Sequence, residues 1–217
     1  MFKIDFDEEK HEYTIDGEKI PSVSEIIAPL TAERYSELNP YMVRAAAEKG
    51  KAIHEACEAI DYGLDLPELY PEAEGYIRAY MDFLRDYFPR WEMVEGVVSY
   101  QKQEGEKTLY AGTVDRFGYI DGKKSIVDIK TYASLTAEGM MTASLQTELY
   151  RLAIDSMARM KRYILHLKKD GNYRLVDLDK FDEERCLHSY DFALTLHRLY
   201  DEKRAVLSAR KKKKNEA

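Results

Sequence analysis

Three charged side chains in one β-rich segment have the types and spacing to carry out hydrolytic chemistry: Asp115, Asp128 and Lys130. The Asp121-Gly122 pair between them is a strong signal for a two-residue β-hairpin loop, so the segment is predicted to fold back as two antiparallel strands. Two carboxylates brought together in this way can bind a divalent cation. A neighbouring ammonium can then position an attacking water and stabilise negative charge in the transition state.

The length of the hairpin loop decides how these side chains face one another. If the Asp-Gly pair alone forms the loop, Asp115 stands directly opposite Asp128, with their Cβ atoms about 4.5–5.5 Å apart on one face. A four-residue loop would instead place Asp115 opposite Lys130, with Asp128 diagonal on the same face, and a three-residue loop would break the arrangement. Two of the three registers therefore bring the same groups together.

The predicted hairpin is apolar on both faces. Strand alternation predicts that the carboxylate face carries Phe117, Tyr119 and Ile126, and that the other face carries Val114, Val127 and Ile129. Two like charges opposed in such surroundings are costly unless a cation compensates them, and oxygen ligands favour Mg²⁺ or Mn²⁺. Alternation also places Lys130 on the face of Asp128. The alternative is a structural ion pair between Lys130 and one of the aspartates.

A helical segment before the hairpin carries a candidate third ligand, His54. It shares a helix face with Glu58 and Asp61, beside an apolar stripe, so its neutral imidazole can reach a site at the end of the sheet. The alternative is a histidine at the edge of the core, hydrogen-bonded to Glu58.

A helical segment after the hairpin carries Gln146 and Tyr150, one turn apart and beside the core positions Leu145 and Leu149. An amide and a phenol at that place can bond a phosphate, a water or the lysine. The alternative is two ordinary residues at the border of a packed helix. Glu148 is predicted to point away from the site into solvent.

Four short motifs in this order resemble the series found in the RecB-like and phage-exonuclease branch of the PD-(D/E)XK nuclease superfamily. They are a Gly-x-x-x-His helix, a Gly-x-x-Asp strand, an Asp-x-Lys strand and a Gln-x-x-x-Tyr helix. Here they occur as Gly50/His54, Gly112/Asp115, Asp128/Lys130 and Gln146/Tyr150.

The resemblance implies a mixed α/β fold with a restriction-endonuclease-like αβββαβ core, a small central sheet flanked by helices. It also implies a metal site with Mg²⁺ or Mn²⁺, two ions, held by His54, Asp115, Asp128 and the backbone carbonyl of Ile129. No nucleotide cofactor is expected. The four cysteines of an iron–sulfur cluster are missing, because the chain has only two cysteines.

In the same resemblance Lys130 would orient the attacking water, and Gln146 and Tyr150 would brace that site or the DNA. The implied activity is a DNA exonuclease that hydrolyses phosphodiester bonds at linear duplex or single-stranded ends, in phage- or prophage-type recombination or repair. A homo-oligomer and a single-strand annealing or recombination protein are the implied partners. The alternatives are an endonuclease of the same superfamily and a non-catalytic DNA-binding or assembly subunit that retains the fold.

The charge and composition of the chain limit how it could bind DNA. The 217 residues carry a net charge of −7, so DNA contacts must come from local basic groups rather than from an overall basic field. The candidates are Arg116, Lys161, Arg162, Lys168, Lys169 and the basic stretch at 210–214. The start of the chain has no apolar signal core and no apolar run is long enough for a membrane span, so a cytoplasmic protein without a membrane partner is expected.

The sequence has no internal repeat and no Gly/Ser-rich linker, which predicts one domain over residues 1–209, followed by a basic tail at 210–217. An N-terminal hairpin and a short helix with a Ser22/Glu25 capping box fill 1–30, and a helical segment spans 40–88. The predicted catalytic sheet and its helix fill 91–180, with that helix over 138–160. A last helix is predicted over 182–209.

Overall fold

The computed structural model of the chain describes residues 4–7, 10–36, 39–68, 70–101 and 109–179. The predicted last helix at 182–209 and the tail at 210–217 lie outside these ranges. The described N-terminal part forms a three-stranded antiparallel sheet of β1 (Ile4–Asp7), β2 (Glu12–Ile15) and β3 (Glu18–Ile20). The third strand was not predicted; it follows an Asp16-Gly17 turn in which both residues have positive φ, of 52° and 80°.

Three helices precede the main sheet. α1 (Val23–Ser36) begins at the predicted capping box: Glu25 N–H donates to Ser22 Oγ, and Ser22 N–H donates to the Glu25 carboxylate. α2 (Pro40–Asp61) begins at Asn39, whose side chain accepts from Tyr41 N–H. α3 (Glu74–Tyr87) follows a short 3₁₀ helix at Pro71–Ala73.

The main sheet has five strands in chain order. They are β4 (Arg90–Tyr100), β5 (Tyr110–Ile120), β6 (Lys123–Lys130), β7 (Lys161–Leu167) and β8 (Tyr173–Asp177), with α4 (Ala137–Asp155) between β6 and β7. Neighbouring strands are antiparallel except β6 and β7, which the α4 crossover makes parallel. The chain is therefore a mixed α/β protein with a small antiparallel sheet and a five-stranded mixed sheet.

Helices cover both faces of the main sheet. On one face, α1 and α4 pack through residues such as Ile26 and Leu149 against Phe117 and Ile126. On the other face, α2 and α3 pack through residues such as Ile53, Cys57 and Phe83 against Val127 and Ile129. Hydrogen bonds from Ala111 N–H to Pro21 O and between Tyr13 Oη and Thr113 Oγ1 join the small sheet to β5. No helix in the described ranges combines the length and the apolarity needed to cross a bilayer.

Two details of the predicted helix and hairpin are wrong. α4 ends at Asp155 rather than near 160, because the Asp155 carboxylate accepts the N–H groups of Met157 and Ala158 and so closes a turn. Met157, just past this end, is 91% exposed, and Met141, near the start of α4, is 61% exposed. Val114 packs with the α1/α4 face rather than with Val127.

Candidate active site

The β5–β6 hairpin has the two-residue loop. Its pairing runs from Ile120 opposite Lys123 to Arg116 opposite Val127, and both loop residues have positive φ. The ladder ends there. Beyond it the Asp115 carboxylate accepts the N–H of Ile129 at 2.6 Å, so a side chain takes the place of the next backbone partner. The two strands thus part at the carboxylates, which opens the sheet to both helix layers.

Asp128 and Lys130 form a close ion pair at this opening. Lys130 Nζ lies 2.9 Å from each oxygen of the Asp128 carboxylate and donates to Oδ1, while Oδ2 is buried and has no hydrogen-bond partner within the described residues. Burial raises the pKa of Asp128 to about 6, although Lys130 opposes the rise. Burial would also lower the pKa of Lys130, but Asp128 outweighs it and holds that pKa above its usual value. Lys130 is therefore a fixed cation at neutral pH.

α4 brings Gln146 and Tyr150 to the same lysine. Gln146 accepts from Lys130 Nζ at 3.3 Å through Oε1 and donates through Nε2 to Tyr150 Oη at 3.1 Å. Burial raises the pKa of Tyr150, so it remains a phenol. Gly112 makes room for its ring, because an added Cβ would lie 2.8 Å from Tyr150 Cε1. The predicted set of lysine, amide and phenol is thus brought together.

α2 brings His54 to the opposite side of the parted strands. Its Nε2 lies 3.2 Å from the Ile129 carbonyl oxygen, which can only accept, so Nε2 carries a proton. Its Nδ1 lies 3.4 Å from Glu95 Oε1 and 3.8 Å from Asp115 Oδ2. Burial alone would lower the pKa of His54, but the two carboxylates outweigh it and raise that pKa. Glu95, a residue of β4, is thus one of two carboxylates that His54 contacts here.

Glu95 was not predicted as a site residue. It lies in β4 between the pairs Val94–Arg116 and Gly96–Val114, and therefore across from Asp115, but it has a φ of 45°. A positive φ is rare for a residue with a side chain, and such strain concentrates at functional sites. One ligand atom from each of His54, Glu95 and Asp115 lies within 4.8 Å of the others.

The donors at this site fit a divalent cation that prefers oxygen and imidazole ligands. Two carboxylates and a histidine converge beside the Ile129 carbonyl, and the buried Asp128 Oδ2 keeps unused acceptor capacity among the described residues. The structure groups Glu95 with His54 and Asp115, whereas Asp128 is engaged by Lys130. The residues therefore fit the metal that the sequence predicts, with Glu95 as an additional donor.

Two of the predicted DNA contacts are wrong, because both side chains are inside the protein. Arg116 is 0% exposed and donates to Asp61 and Glu95. Arg162 is 1% exposed and donates to the Ser144 carbonyl oxygen. Neither guanidinium can reach a phosphate backbone from these positions.

The other basic candidates differ among themselves. Lys161 is paired with Asp177 at 3.1 Å and Asp179 at 2.7 Å, so its ammonium already has carboxylate partners. Lys168 and Lys169 are exposed in the β7–β8 connection, and their contact with DNA stays a prediction.

The prediction that Glu148 is solvated is wrong. It is 1% exposed, and Arg151 donates to its carboxylate at 2.7 Å. Glu148 lies on α4 but takes no part in the candidate site; it belongs to a separate buried network with Arg162.

Comparisons with known proteins add little to this geometry. No family model matches the sequence, and no curated protein matches it. Among solved structures the chain is similar to one titled "Crystal structure of SSO0001", with a TM-score of 0.36 and 13% sequence identity, over 79% of this chain and 84% of that one. A similarity of this size does not define a shared fold.

Proposed function

We propose that this chain is a Mg²⁺- or Mn²⁺-dependent deoxyribonuclease of the PD-(D/E)XK type. The observation that carries the proposal is the parting of β5 and β6 at Asp115 and Asp128, with the Lys130 ammonium 2.9 Å from Asp128 on one side and His54 on the other. The chain order from α3 to β7 is α, β, β, β, α, β, which supports a restriction-endonuclease-like core.

The residues that would hold the cation are His54, Glu95, Asp115, Asp128 and the carbonyl of Ile129. A bound Mg²⁺ or Mn²⁺ supplies Lewis acidity toward water and the phosphodiester. The expectation of two ions comes from the resemblance alone, and the stoichiometry of a calorimetric titration measures it.

The protein's own groups then position the substrate and balance its charge. Lys130 remains charged, so it serves as an electrostatic partner of the phosphate or of the attacking water rather than as a base. Gln146 fixes the direction of the ammonium through its Oε1, and Tyr150 fixes the amide in turn. These two hydrogen bonds therefore limit the rotamers that the flexible Lys130 side chain can adopt.

The finer assignment follows from the branch that the sequence resembles. We infer a cytoplasmic DNA exonuclease of phage- or prophage-type recombination or repair, acting on linear duplex or single-stranded ends. A homo-oligomer and an annealing or recombination partner are part of the same inference.

The test is digestion of linear duplex, single-stranded and covalently closed circular DNA in the presence of Mg²⁺, with Asp128→Ala and Lys130→Ala beside the wild type. Lys123→Ala is the matched control, because that lysine lies on the same strand but is exposed at the hairpin end. We expect both site variants to lose activity and the control to keep it.

Three outcomes would change the proposal. Full activity of both site variants would exclude this site. Cleavage of closed circles would replace the exonuclease by an endonuclease. Binding of DNA without cleavage by the wild type would favour the non-catalytic subunit.

A further inference from the structure

We propose that Arg116 is a positioning residue of the metal site, which holds the Glu95 carboxylate beside His54 and Asp115. The inference rests on the proposed function, because it concerns the same site. It differs from the sequence prediction, which gave Arg116 a direct contact with DNA.

The contacts of Arg116 run from the interior of the protein to the site. Its Nε donates to Asp61 Oδ2 at 2.6 Å, at the end of α2, and its Nη1 donates to Glu95 Oε1 at 2.9 Å. The same Nη1 donates to the carbonyl oxygen of Asp115, also at 2.6 Å. One planar guanidinium thus contacts the side chain of one proposed metal ligand, Glu95, and the backbone of another, Asp115.

Asp61, the partner of Arg116 that lies away from the site, is held in place by other residues. Asp61 also accepts from Tyr80 Oη at 2.6 Å and from Trp91 Nε1 at 3.1 Å, and its side chain is 3% exposed. Asp61 therefore has partners from α3 and β4 as well as from Arg116. Because Asp61 cannot move freely, Arg116 is held at a fixed distance from the site.

Among the proposed metal ligands, Glu95 is the one that most needs another side chain to hold it in place. Its backbone has the unfavourable positive φ, and its carboxylate is 23% exposed beside the carboxylate of Asp115. Without a nearby cation, the carboxylates of Glu95 and Asp115 would repel each other and separate. Arg116 supplies that charge at Glu95 Oε1, the oxygen that also lies 3.4 Å from His54 Nδ1, and so holds the carboxylate beside the ligand cluster.

A lysine at position 116 distinguishes positioning from simple charge. It keeps one positive charge, but a single ammonium cannot reproduce the planar fork that reaches Asp61, Glu95 and the Asp115 carbonyl together. Arg162→Lys is the matched control, because Arg162 is equally buried but contacts none of the donor residues in the described structure.

The experiment is a calorimetric titration of the full chain with Mn²⁺. For Arg116→Lys we expect affinity to fall on the order of tenfold or more, as for other groups that orient metal ligands. We expect Arg162→Lys to match the wild type. In the double variant with Glu95→Gln, the arginine change should add little to the loss from Glu95→Gln alone, because Arg116 acts through that carboxylate.

A second variant guards against misfolding of Arg116→Lys. Asp61→Asn leaves every proposed ligand in place and weakens only the anchor, so it should give a smaller loss of Mn²⁺ affinity. Trp91 is the only tryptophan in the chain and donates to Asp61, so its fluorescence reports whether the anchor is intact in each variant.

The inference is overturned if Arg116→Lys or Asp61→Asn binds Mn²⁺ as tightly as the wild type. It is also overturned if the loss from Arg116→Lys adds in full to that from Glu95→Gln. Wild-type protein that binds Mn²⁺ but leaves all DNA substrates intact defeats the nuclease proposal alone, and wild-type protein that binds no Mn²⁺ defeats both.

Discussion

Two buried arginines, Arg116 and Arg162, differ in what they hold. Arg116 makes short ion pairs, at 2.6 Å with Asp61 and 2.9 Å with Glu95. Arg162 lies 3.5 Å from Glu148 and 4.0 Å from Asp179, and its closest bond is to the Ser144 carbonyl oxygen at 2.8 Å. Arg116 thus supports a carboxylate that faces the candidate metal site, whereas Arg162 fastens α4 to β7.

The difference extends to the carboxylates. Glu148 has a second cation in Arg151 at 2.7 Å, and Asp179 has one in Lys161 at 2.7 Å, so the Arg162 network is neutralised within itself. At the candidate site, by contrast, one ligand atom from a histidine and one from each of two carboxylates lie within 4.8 Å of one another. Such a cluster of acceptors fits the divalent cation that we propose.

The largest expected effect is the loss of stability on removing each arginine. Arg116→Met leaves the buried Asp61 without its cation and should cost about 3–5 kcal/mol of unfolding free energy in metal-free buffer. Arg162→Met should cost about 1–3 kcal/mol, because both of its carboxylates keep another partner. Urea unfolding at neutral pH measures both, and equal losses would remove the distinction between the two networks.

A second prediction concerns the pH dependence of stability without metal. Because the folded pKa of Asp128 is about 6, above its unfolded value of 3.8, its contribution to stability is fully present below pH 4 and is lost as the pH rises through 6. The loss should be on the order of 2–3 kcal/mol. It is measured as the difference in unfolding free energy between wild type and Asp128→Asn, from pH 4 to pH 8 in chelator.

Glu148→Gln is the control for this pH dependence, because it changes a buried carboxylate of the Arg162 network. The loss of stability between pH 4 and pH 8 should persist in that variant. A wild type that gains stability relative to Asp128→Asn over the same range would contradict the prediction.

The hairpin shows how far the sequence alone could reach. A two-residue Asp-Gly loop fixes the register by counting, and the observed pairing from Ile120–Lys123 to Arg116–Val127 follows it. The capping box at Ser22 and Glu25 was equally readable, because it depends on neighbours in the chain. Local signals were therefore enough for the register at the loop end of this hairpin and for the start of α1, but not for the parting of the strands at Asp115 and Asp128.

The positions of Glu95 and Arg116 could not be predicted from local signals of this kind. The connection from β4 to β5 carries no tight-turn signal, so the register that sets Glu95 across from Asp115 could not be counted. The Gly96 that follows Glu95 is a sign of irregularity inside a strand, and it was the one local hint. Burial of Arg116 in β5 depends on Asp61 of α2 and Tyr80 of α3, which only the assembled fold brings together.

A third prediction compares two residues of α4, one that contacts Lys130 in the candidate site and one that contacts Arg162 in the separate network. Gln146→Leu removes the acceptor that directs Lys130, and we expect a loss of DNA hydrolysis of about tenfold, which corresponds to one hydrogen bond to a charged group. Ser144→Ala, in the Arg162 network, should leave hydrolysis unchanged. Initial rates of hydrolysis on linear duplex DNA measure both effects. Equal rates for Gln146→Leu and wild type would show that the amide does not direct Lys130.

The smallest expected effect concerns the basic groups that remain exposed. Lys168 and Lys169 stand free of the buried networks, so their replacement by alanine should weaken DNA binding uniformly across sequences. It should also reduce the slope of log affinity against log salt by about 1 for each phosphate that is no longer neutralised. Lys161→Ala should change the slope less, because Asp177 and Asp179 already hold that ammonium. The measurement is fluorescence anisotropy of labelled duplex DNA over a range of salt concentrations, with Ca²⁺ in place of Mg²⁺ to limit cleavage. An unchanged slope in the double variant would move the DNA path away from the β7–β8 connection.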